Sequence, residues 1–193
     1  MKYHLDLVPH GKNILLGGGT LLRDGWLNWD LYVKNADIKH DLTSFPYPLK
    51  DNSVDHLEAT NIFEHLADWK HTLLECHRIL KPGGKLLIQV PHYGSVYMWS
   101  HFDHKAAFSL FSFDSFAANS GDYFVEGACN DAMLHKTKKF AKVTRYLMFP
   151  KGKWFWGYAF EKIANLCIYT QLFHELWLSG IFKPSGVLVI LEK

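Results

Sequence analysis

The stretch VDHLEATNIFEHLADWKHTLLECHRILKPGGKLLIQV, residues 54–90, decides the fold. Residues 54–60 and 85–90 are short apolar runs typical of buried strands, although the first also fits the start of a helix. Between them, over residues 67–80, apolar side chains recur every three or four positions, which predicts a helix. The KPGG sequence ends that helix, because proline and glycine continue a helix only at a cost. Strand, helix, glycine stop and strand form a βαβ unit, so we predict a parallel sheet.

Further strand candidates precede this unit. NILLG (13–17) and WLNWD (26–30) are apolar runs, and ADIKHDL (36–42) is a weaker third. Only a few residues separate them, whereas parallel connections normally need about a dozen residues and a helix. The crossover helices must therefore be very short or absent, which leaves one sheet face thinly covered. We predict that the aromatic C-terminal half or a second copy of the chain covers it.

The rest of the chain is less regular. We predict helices over residues 108–121 and 155–178, and strands over 142–149 and 186–193. No linker divides the chain, so residues 1–193 are predicted to form a single domain. Its α/β part spans residues 12–92, and residues 93–193 add the helical, aromatic-rich half and the final strands.

Composition and charge exclude several classes of protein. A hydrophobic content of 48% suits a globular protein, and a net charge of +2 offers no basic field for nucleic acid. Cys76, Cys129 and Cys167 lack metal-binding spacing, which indicates reduced thiols in a cytoplasmic protein. No leader pattern is visible, and no apolar run reaches about 18 residues, so we expect no membrane-spanning helix.

A glycine turn and two acidic residues follow the first three strand candidates. Gly17–Gly19 come after the first, and Asp30 and Asp41 end the next two. Glycines permit positive φ and let a ligand approach the backbone closely. Because ligands of parallel sheets bind at the carboxyl edge, these carboxylates could accept hydrogen bonds from ribose hydroxyls and from an adenine amino group. We predict a nucleoside-containing ligand; the alternative is a tight turn beside solvated strand ends.

Three segments together resemble the class I S-adenosylmethionine-dependent methyltransferases of the type-11-like group. They are ILLGGGTLLRDGWLNWD, DLTSFPYPLKDNSVDHLEATNIFEHL and LLECHRILKPGGKLLIQVPH, within residues 12–92. The resemblance implies a Rossmann-like sheet of seven strands, mostly parallel, with an antiparallel last strand. It also implies that residues 12–92 bind the cofactor and that residues 93–193 form the substrate or lid part.

The implied cofactor is S-adenosyl-L-methionine. The glycine turn would lie against its methionine part, Asp30 would hold the ribose hydroxyls, and Asp41 would meet the adenine. The full implied set is Gly17, Gly18, Gly19, Asp30, Asp41, Leu42, Asn61 and Ile62. Methyl transfer by in-line displacement is the implied reaction, on a small molecule or a cell-envelope glycan or lipid intermediate.

The chain also departs from the family pattern. Leu15 and Leu16 stand where relatives carry an acidic residue, and the turn reads GGG. These changes, with the short crossovers, leave a second hypothesis open. The chain could be a non-catalytic binding or scaffolding protein of the same fold, with a degraded cofactor pocket.

Histidines supply the candidate catalytic groups. His92, His101 and His104 follow the last strand of the βαβ unit, on the side that faces an acceptor. We predict that one is a general base oriented by Asp103; the alternative for each is a structural role. A metal site at the His-x-x-His pair is disfavoured because no fixed third ligand is evident, so we predict no metal.

The remaining motifs are open to two interpretations. Glu64 and His65 of FEHL match the family, and we expect them to have a structural role at a helix start. The aromatic segment 145–160 is either core packing or a lid or lipid-contacting surface. Residues 59–66 lack the motif of enzymes that methylate nucleic-acid amino groups. The predicted partners are thus the acceptor, a second copy of the chain and, peripherally, a membrane; nucleic acid is disfavoured.

Overall fold

The computed structural model describes residues 4–6, 8–21, 23–120, 139–150 and 156–193. Within these ranges, six strands form one sheet: β1 (Asn13–Leu16), β2 (Trp26–Trp29), β3 (Val54–Thr60), β4 (Leu80–Pro91), β5 (Lys142–Met148) and β6 (Gly186–Glu192). Their order across the sheet is β2-β1-β3-β4-β6-β5. Strands β1 to β4 run parallel, and β6 is antiparallel to both β4 and β5. The predicted α/β sheet with an antiparallel last strand is confirmed.

Among the described residues, four helices accompany the sheet: α1 (Trp69–Ile79), α2 (Val96–Trp99), α3 (Trp156–Ala164) and α4 (Ile168–Phe173). Helix α1 is the predicted helix of the βαβ unit, and Asp68 caps it by accepting a hydrogen bond from the His71 N–H. A π-helical turn, His174–Leu178, extends α4. Residues 156–178 are thus largely helical, as the sequence predicted for residues 155–178.

The helix predicted over residues 108–121 is wrong for the part that the structure describes, which ends at residue 120. This segment forms turns with one 3-10 turn, Asp114–Phe116. Phe108 and Leu110 are both buried, although residues two positions apart would lie on nearly opposite sides of a helix. In addition, the hydroxyl of Ser109 accepts a hydrogen bond from a nearby backbone N–H, and serine side chains that do so compete with helical bonding.

The third strand candidate, residues 36–42, is not a strand. Ile38 makes a single bridge to Trp29, and the Asp37 carboxylate then accepts the Asn28 N–H that a strand would have paired. The Trp29 indole N–H donates to the His40 carbonyl and closes this edge of the sheet. Side-chain hydrogen bonds therefore take the place of the backbone hydrogen bonds that a further strand would make with β2. The described residues form six strands rather than the seven that the resemblance implies.

A buried carboxylate stabilises the short connection between β1 and β2. The Arg23 guanidinium lies 2.7 Å from Glu58 Oε2 and donates to the Leu5 carbonyl. Glu58, on β3, is 3% exposed and also accepts the Leu5 N–H. The described residues between β1 and β2 form turns and no helix. The Arg23–Glu58 ion pair therefore attaches this connection to the sheet in place of a crossover helix.

The hydrophobic core lies mainly on one face of the sheet, since side chains alternate between faces along each strand. There, Trp69 of α1 packs edge-on against Phe108, Phe113 and Phe116 at centroid distances of 5.2–5.7 Å. The buried members of the second cluster, within the described ranges, are Leu5, Leu15, Trp26, Leu87 and Leu188. The predicted cover from a second copy stays a prediction.

Candidate active site

A cavity of about 520 Å³ opens at the carboxyl ends of β1, β2 and β3; we call it the cofactor cleft. Six of the eight residues predicted around the cofactor line it: Gly17, Asp30, Asp41, Leu42, Asn61 and Ile62. Gly18 and Gly19 belong to the same turn but are not among the lining residues. The topology therefore brings together side chains that lie far apart in the sequence.

Asp30 is held by the backbone around it. Its Oδ2 accepts the Gly19 N–H at 3.0 Å, and its Oδ1 accepts those of Tyr32 and Val33 at 2.8 and 3.0 Å. Partial burial opposes the charge, but these three N–H donors outweigh it and hold the pKa of Asp30 below its ordinary value. The carboxylate is thus an oriented anion, and it retains acceptor capacity for ligand hydroxyls.

Asp41, the second predicted carboxylate, lies in the same cleft. Its Oδ1 accepts both the backbone N–H and the hydroxyl of Thr43, each at 2.8 Å. These two bonds lower the pKa of Asp41, so it is also ionised at neutral pH. The adjacent Leu42 carbonyl accepts the Tyr47 hydroxyl at 3.0 Å, which fixes the backbone at this point.

Two positions of the glycine turn leave no room for a side chain. Gly17 has φ of +59°, and a Cβ there would overlap the Ile62 side chain. At Gly18 a Cβ would meet the Asn28 amide, which itself donates to the Gly19 carbonyl at 2.8 Å. The backbone at the end of β1 is therefore bare where it faces the cleft.

A second cavity, of about 450 Å³, adjoins the first, and we call it the acceptor cavity. Asn61 and His65 line both cavities, so the two meet at the end of β3. Its other lining residues are Glu64, Gln89, Val90, Pro91, Tyr97, His101, His104, Met148, Ser185 and Gly186. A molecule in one cavity would thus lie next to a molecule in the other.

Glu64 is the most unusual polar group of the acceptor cavity. The residue is 0% exposed, and neither carboxylate oxygen bonds to another described residue. Burial raises the pKa of Glu64 to about 7, although its own backbone N–H and the nearby His104 act in the opposite direction. The side chain does not cap α1, a role that Asp68 fills. The expected capping role is thus not seen, and Glu64 was missed as a site residue although its position after β3 signalled the carboxyl edge.

The three predicted catalytic histidines lie in different environments. His101 and His104 line the acceptor cavity. His92 is 0% exposed and is not among the lining residues; its Nε2 lies 3.1 Å from Glu175, and its Nδ1 accepts the Gly94 N–H. Asp103, expected to orient one of them, instead lies 2.9 Å from His65 Nδ1. The catalytic role of the histidines stays a prediction.

Comparisons with known proteins agree with this architecture. Residues 29–88 match the family model described as a methyltransferase domain. A protein of Mycolicibacterium smegmatis named as a probable S-adenosylmethionine-dependent methyltransferase is 40% identical over 58 residues, covering 30% of this chain and 22% of that protein. A malonyl-[acyl-carrier protein] O-methyltransferase of Coxiella burnetii is 50% identical over 40 residues, covering 21% and 14%.

A solved structure is similar over nearly the whole chain. It is an S-adenosylmethionine-dependent methyltransferase of Archaeoglobus fulgidus, with a TM-score of 0.58 and 13% identity, covering 95% of this chain and 86% of that one. The chain spans less than a quarter of the length of the two curated relatives. The predicted resemblance is nevertheless confirmed: the chain has the fold of the class I S-adenosylmethionine-dependent methyltransferases and matches their methyltransferase domain over residues 29–88.

Proposed function

We propose that this chain is an S-adenosylmethionine-dependent methyltransferase that acts on a small molecule or on a cell-envelope glycan or lipid intermediate. The observation that carries the proposal is the meeting of two cavities at Asn61 and His65. Methyl transfer requires a nucleophile in line with the methyl carbon and the sulfur, and two adjoining cavities would let an acceptor and the cofactor approach each other in that way.

The residues of the cofactor cleft fit an adenosyl group. Asp30 would accept the ribose hydroxyls, Asp41 and Leu42 would border the adenine, and the bare backbone at Gly17 would leave room for the methionine part. When bound, S-adenosylmethionine supplies a methyl group on a positively charged sulfur. The two ionised carboxylates make the cleft favourable for a cationic ligand.

The acceptor cavity holds several groups that could orient a polar acceptor. Gln89, Tyr97 and Ser185 line it together with two histidines and Glu64. The Coxiella burnetii relative is named as an O-methyltransferase, which supports an oxygen acceptor, although it matches over only 40 residues. A small molecule or the head of a glycan or lipid is in keeping with a cavity of about 450 Å³.

Partners and location are part of the proposal. No helix in the described residues is long and apolar enough to cross a membrane. We place the chain in the cytoplasm, as a homodimer or in peripheral contact with a membrane. A surface over α4, the turn before it and the π-helical turn after it supports such contacts, because Leu166, Tyr169 and Trp177 are 71–76% exposed there.

Calorimetry with S-adenosylmethionine and S-adenosylhomocysteine tests the cofactor assignment directly. We expect one molecule bound per chain, followed by transfer of labelled methyl to an acceptor from separate aqueous and lipid extracts. If folded protein binds neither compound at about 1 mM, where an affinity of only about 4 kcal/mol would still register, the non-catalytic scaffold is the better description. Circular dichroism confirms that the protein is folded.

A further inference from the structure

We propose that Glu64, His65 and His104 bind a divalent transition-metal ion in the wall of the acceptor cavity, and that this ion holds an oxygen atom of the acceptor. The metal site stands on the geometry of these three residues alone. Its role toward an acceptor rests on the proposed function.

The first support is the unpaired carboxylate of Glu64. Three other carboxylates whose side chains are at most 13% exposed have cationic or imidazole partners: Glu58 contacts Arg23, Asp114 contacts Arg145 and Glu175 contacts His92. Glu64 is at least as buried, and yet both of its oxygens lack a partner among the described residues. A buried carboxylate without compensation is costly, so the site calls for a cation.

The second support is the placement of the imidazoles. One ligand atom from each of Glu64, His65 and His104 lies within 4.8 Å of the other two. Ligand atoms around a zinc ion lie about 3–3.5 Å apart, given metal–ligand bonds of about 2.0–2.2 Å. Side-chain rotations that move these atoms by about an ångström would therefore close the site, and His65 and His104 are only partly buried, which leaves them free to adjust.

The third support is the hydrogen bonding behind both rings. His65 Nδ1 lies 2.9 Å from the Asp103 carboxylate, and His104 Nδ1 lies 2.7 Å from the Met98 carbonyl. Both partners are acceptors, so each ring donates from Nδ1, which leaves Nε2 as the nitrogen available to coordinate a metal ion. A histidine that donates from one nitrogen to a carboxylate or carbonyl and coordinates through the other is the usual arrangement at metal sites.

The donor set also indicates which ion binds. Two imidazoles and one carboxylate suit Zn²⁺ or Mn²⁺ better than Mg²⁺, which prefers oxygen ligands. Three protein ligands leave coordination positions open toward the cavity. An ion held by these three residues would lower the pKa of an acceptor hydroxyl, as it does for bound water, so that the proton could pass to solvent water. The acceptor oxygen would then form its bond to the methyl carbon as the carbon–sulfur bond breaks and leaves its electron pair on sulfur.

Metal binding to the full chain tests the site without cofactor or acceptor. We would strip the protein with a chelator, titrate it with Zn²⁺ and with Mn²⁺ by calorimetry, and record the visible spectrum of the Co²⁺ form. One equivalent is expected to bind with higher affinity than any further ions on surface histidines. Glu64→Gln and His104→Ala should each weaken that affinity by at least about 10-fold, and Asp103→Asn by about 10-fold through His65.

His101→Ala is the matched control, because it removes an imidazole from the same cavity but outside the three-residue cluster. Its Zn²⁺ affinity and Co²⁺ spectrum should equal those of the parent chain. If Glu64→Gln fails to fold by circular dichroism, His104→Ala, at a partly buried position, still decides the question.

The proposal is overturned if the parent chain binds neither ion, if both ligand variants bind as tightly as the parent, or if His101→Ala loses as much affinity as His104→Ala. In the first two cases Glu64 is better described as a proton acceptor in the cavity. Cofactor affinity is measured separately. If the chain binds S-adenosylmethionine but no metal, the metal-site inference is wrong and the proposed function stands. If it binds the metal but not S-adenosylmethionine, the proposed function is wrong and the metal site stands.

Discussion

The backbone N–H of Gly19 donates a hydrogen bond to Oδ2 of Asp30 over 3.0 Å, across eleven positions of the chain. This bond ties the turn after β1 to the end of β2, so the glycine turn and the carboxylate form one structural unit. Asp30 therefore both shapes the cofactor cleft and provides its charge. Changes at either position are expected to affect the same ligand.

Asp30→Ala is expected to weaken S-adenosylmethionine binding by about 1–3 kcal/mol, the scale of hydrogen bonds to a charged group. Calorimetry on folded protein measures the change in affinity. Asp24→Ala is the control, since Asp24 is exposed and is not among the residues that line the cleft, and its affinity should be unchanged. Equal affinities of Asp30→Ala and the parent chain would remove Asp30 from the site.

Gly17→Ala should reduce both the free energy of unfolding and the cofactor affinity, because a Cβ at this position overlaps the Ile62 side chain. Gly19→Ala is the matched comparison. Both glycines have positive φ, +59° and +56°, so both variants carry the conformational cost of about 1–2 kcal/mol. Only Gly17 adds the overlap, since nothing lies within 4 Å of a Cβ at Gly19.

Urea unfolding of the two variants measures this difference. Ile62→Ala combined with Gly17→Ala should recover part of the loss by opening space for the new methyl group. If Gly17→Ala and Gly19→Ala are equally destabilised, the contact with Ile62 has no energetic consequence.

Asp114→Ala should lower the free energy of unfolding by about 3–5 kcal/mol, because it leaves Arg145 unpaired at a site where the two side chains are only 13% and 10% exposed. Asp51→Ala breaks a contact with Arg78 of the same length, 2.6 Å. Asp51 is 68% exposed, so its loss should cost about 0–1 kcal/mol. Comparable losses in the two variants would show that burial does not set the strength of these pairs.

His174 should make the free energy of unfolding depend on pH in the mildly acidic range. Burial lowers its pKa below the ordinary 6.5, and His92 acts in the same direction, while the Phe182 carbonyl and Glu175 oppose this shift. In the window just below pH 6.5 the unfolded chain therefore binds a proton that the folded chain does not, so stability rises with pH there and falls as the solution is acidified.

Urea unfolding at about pH 5.5 and about pH 7.5, on either side of the ordinary histidine pKa, measures this effect. His174→Gln should lose less stability on acidification than the parent chain. The difference between the parent chain and His174→Gln isolates the contribution of His174. Glu64, whose raised pKa has the opposite effect on stability, contributes equally to both proteins. Identical pH profiles would show that His174 titrates normally in the folded chain.

The parts of the fold that could be predicted from the sequence depend on local signals. Helix α1 and strand β4 follow from side-chain periodicity and a glycine stop. The wrong predictions, a helix over residues 108–120 and a strand over residues 36–42, have a different cause. Residues 108–120 turn inward around three buried phenylalanines, and the edge beside Trp29 is completed by side-chain hydrogen bonds. Both outcomes depend on contacts between distant parts of the chain.

The amino-acid order by itself determined the parallel α/β framework and placed Gly17 and Asp30 at its carboxyl edge, because strand period and turn chemistry are short-range properties. Only the tertiary structure decided that Asp103 faces His65, and that Glu64 lies buried and unpaired beside His104. Those pairings arise where the segment after β4 packs against the end of β3. The energy of a buried charge depends on everything around it, which no local pattern encodes.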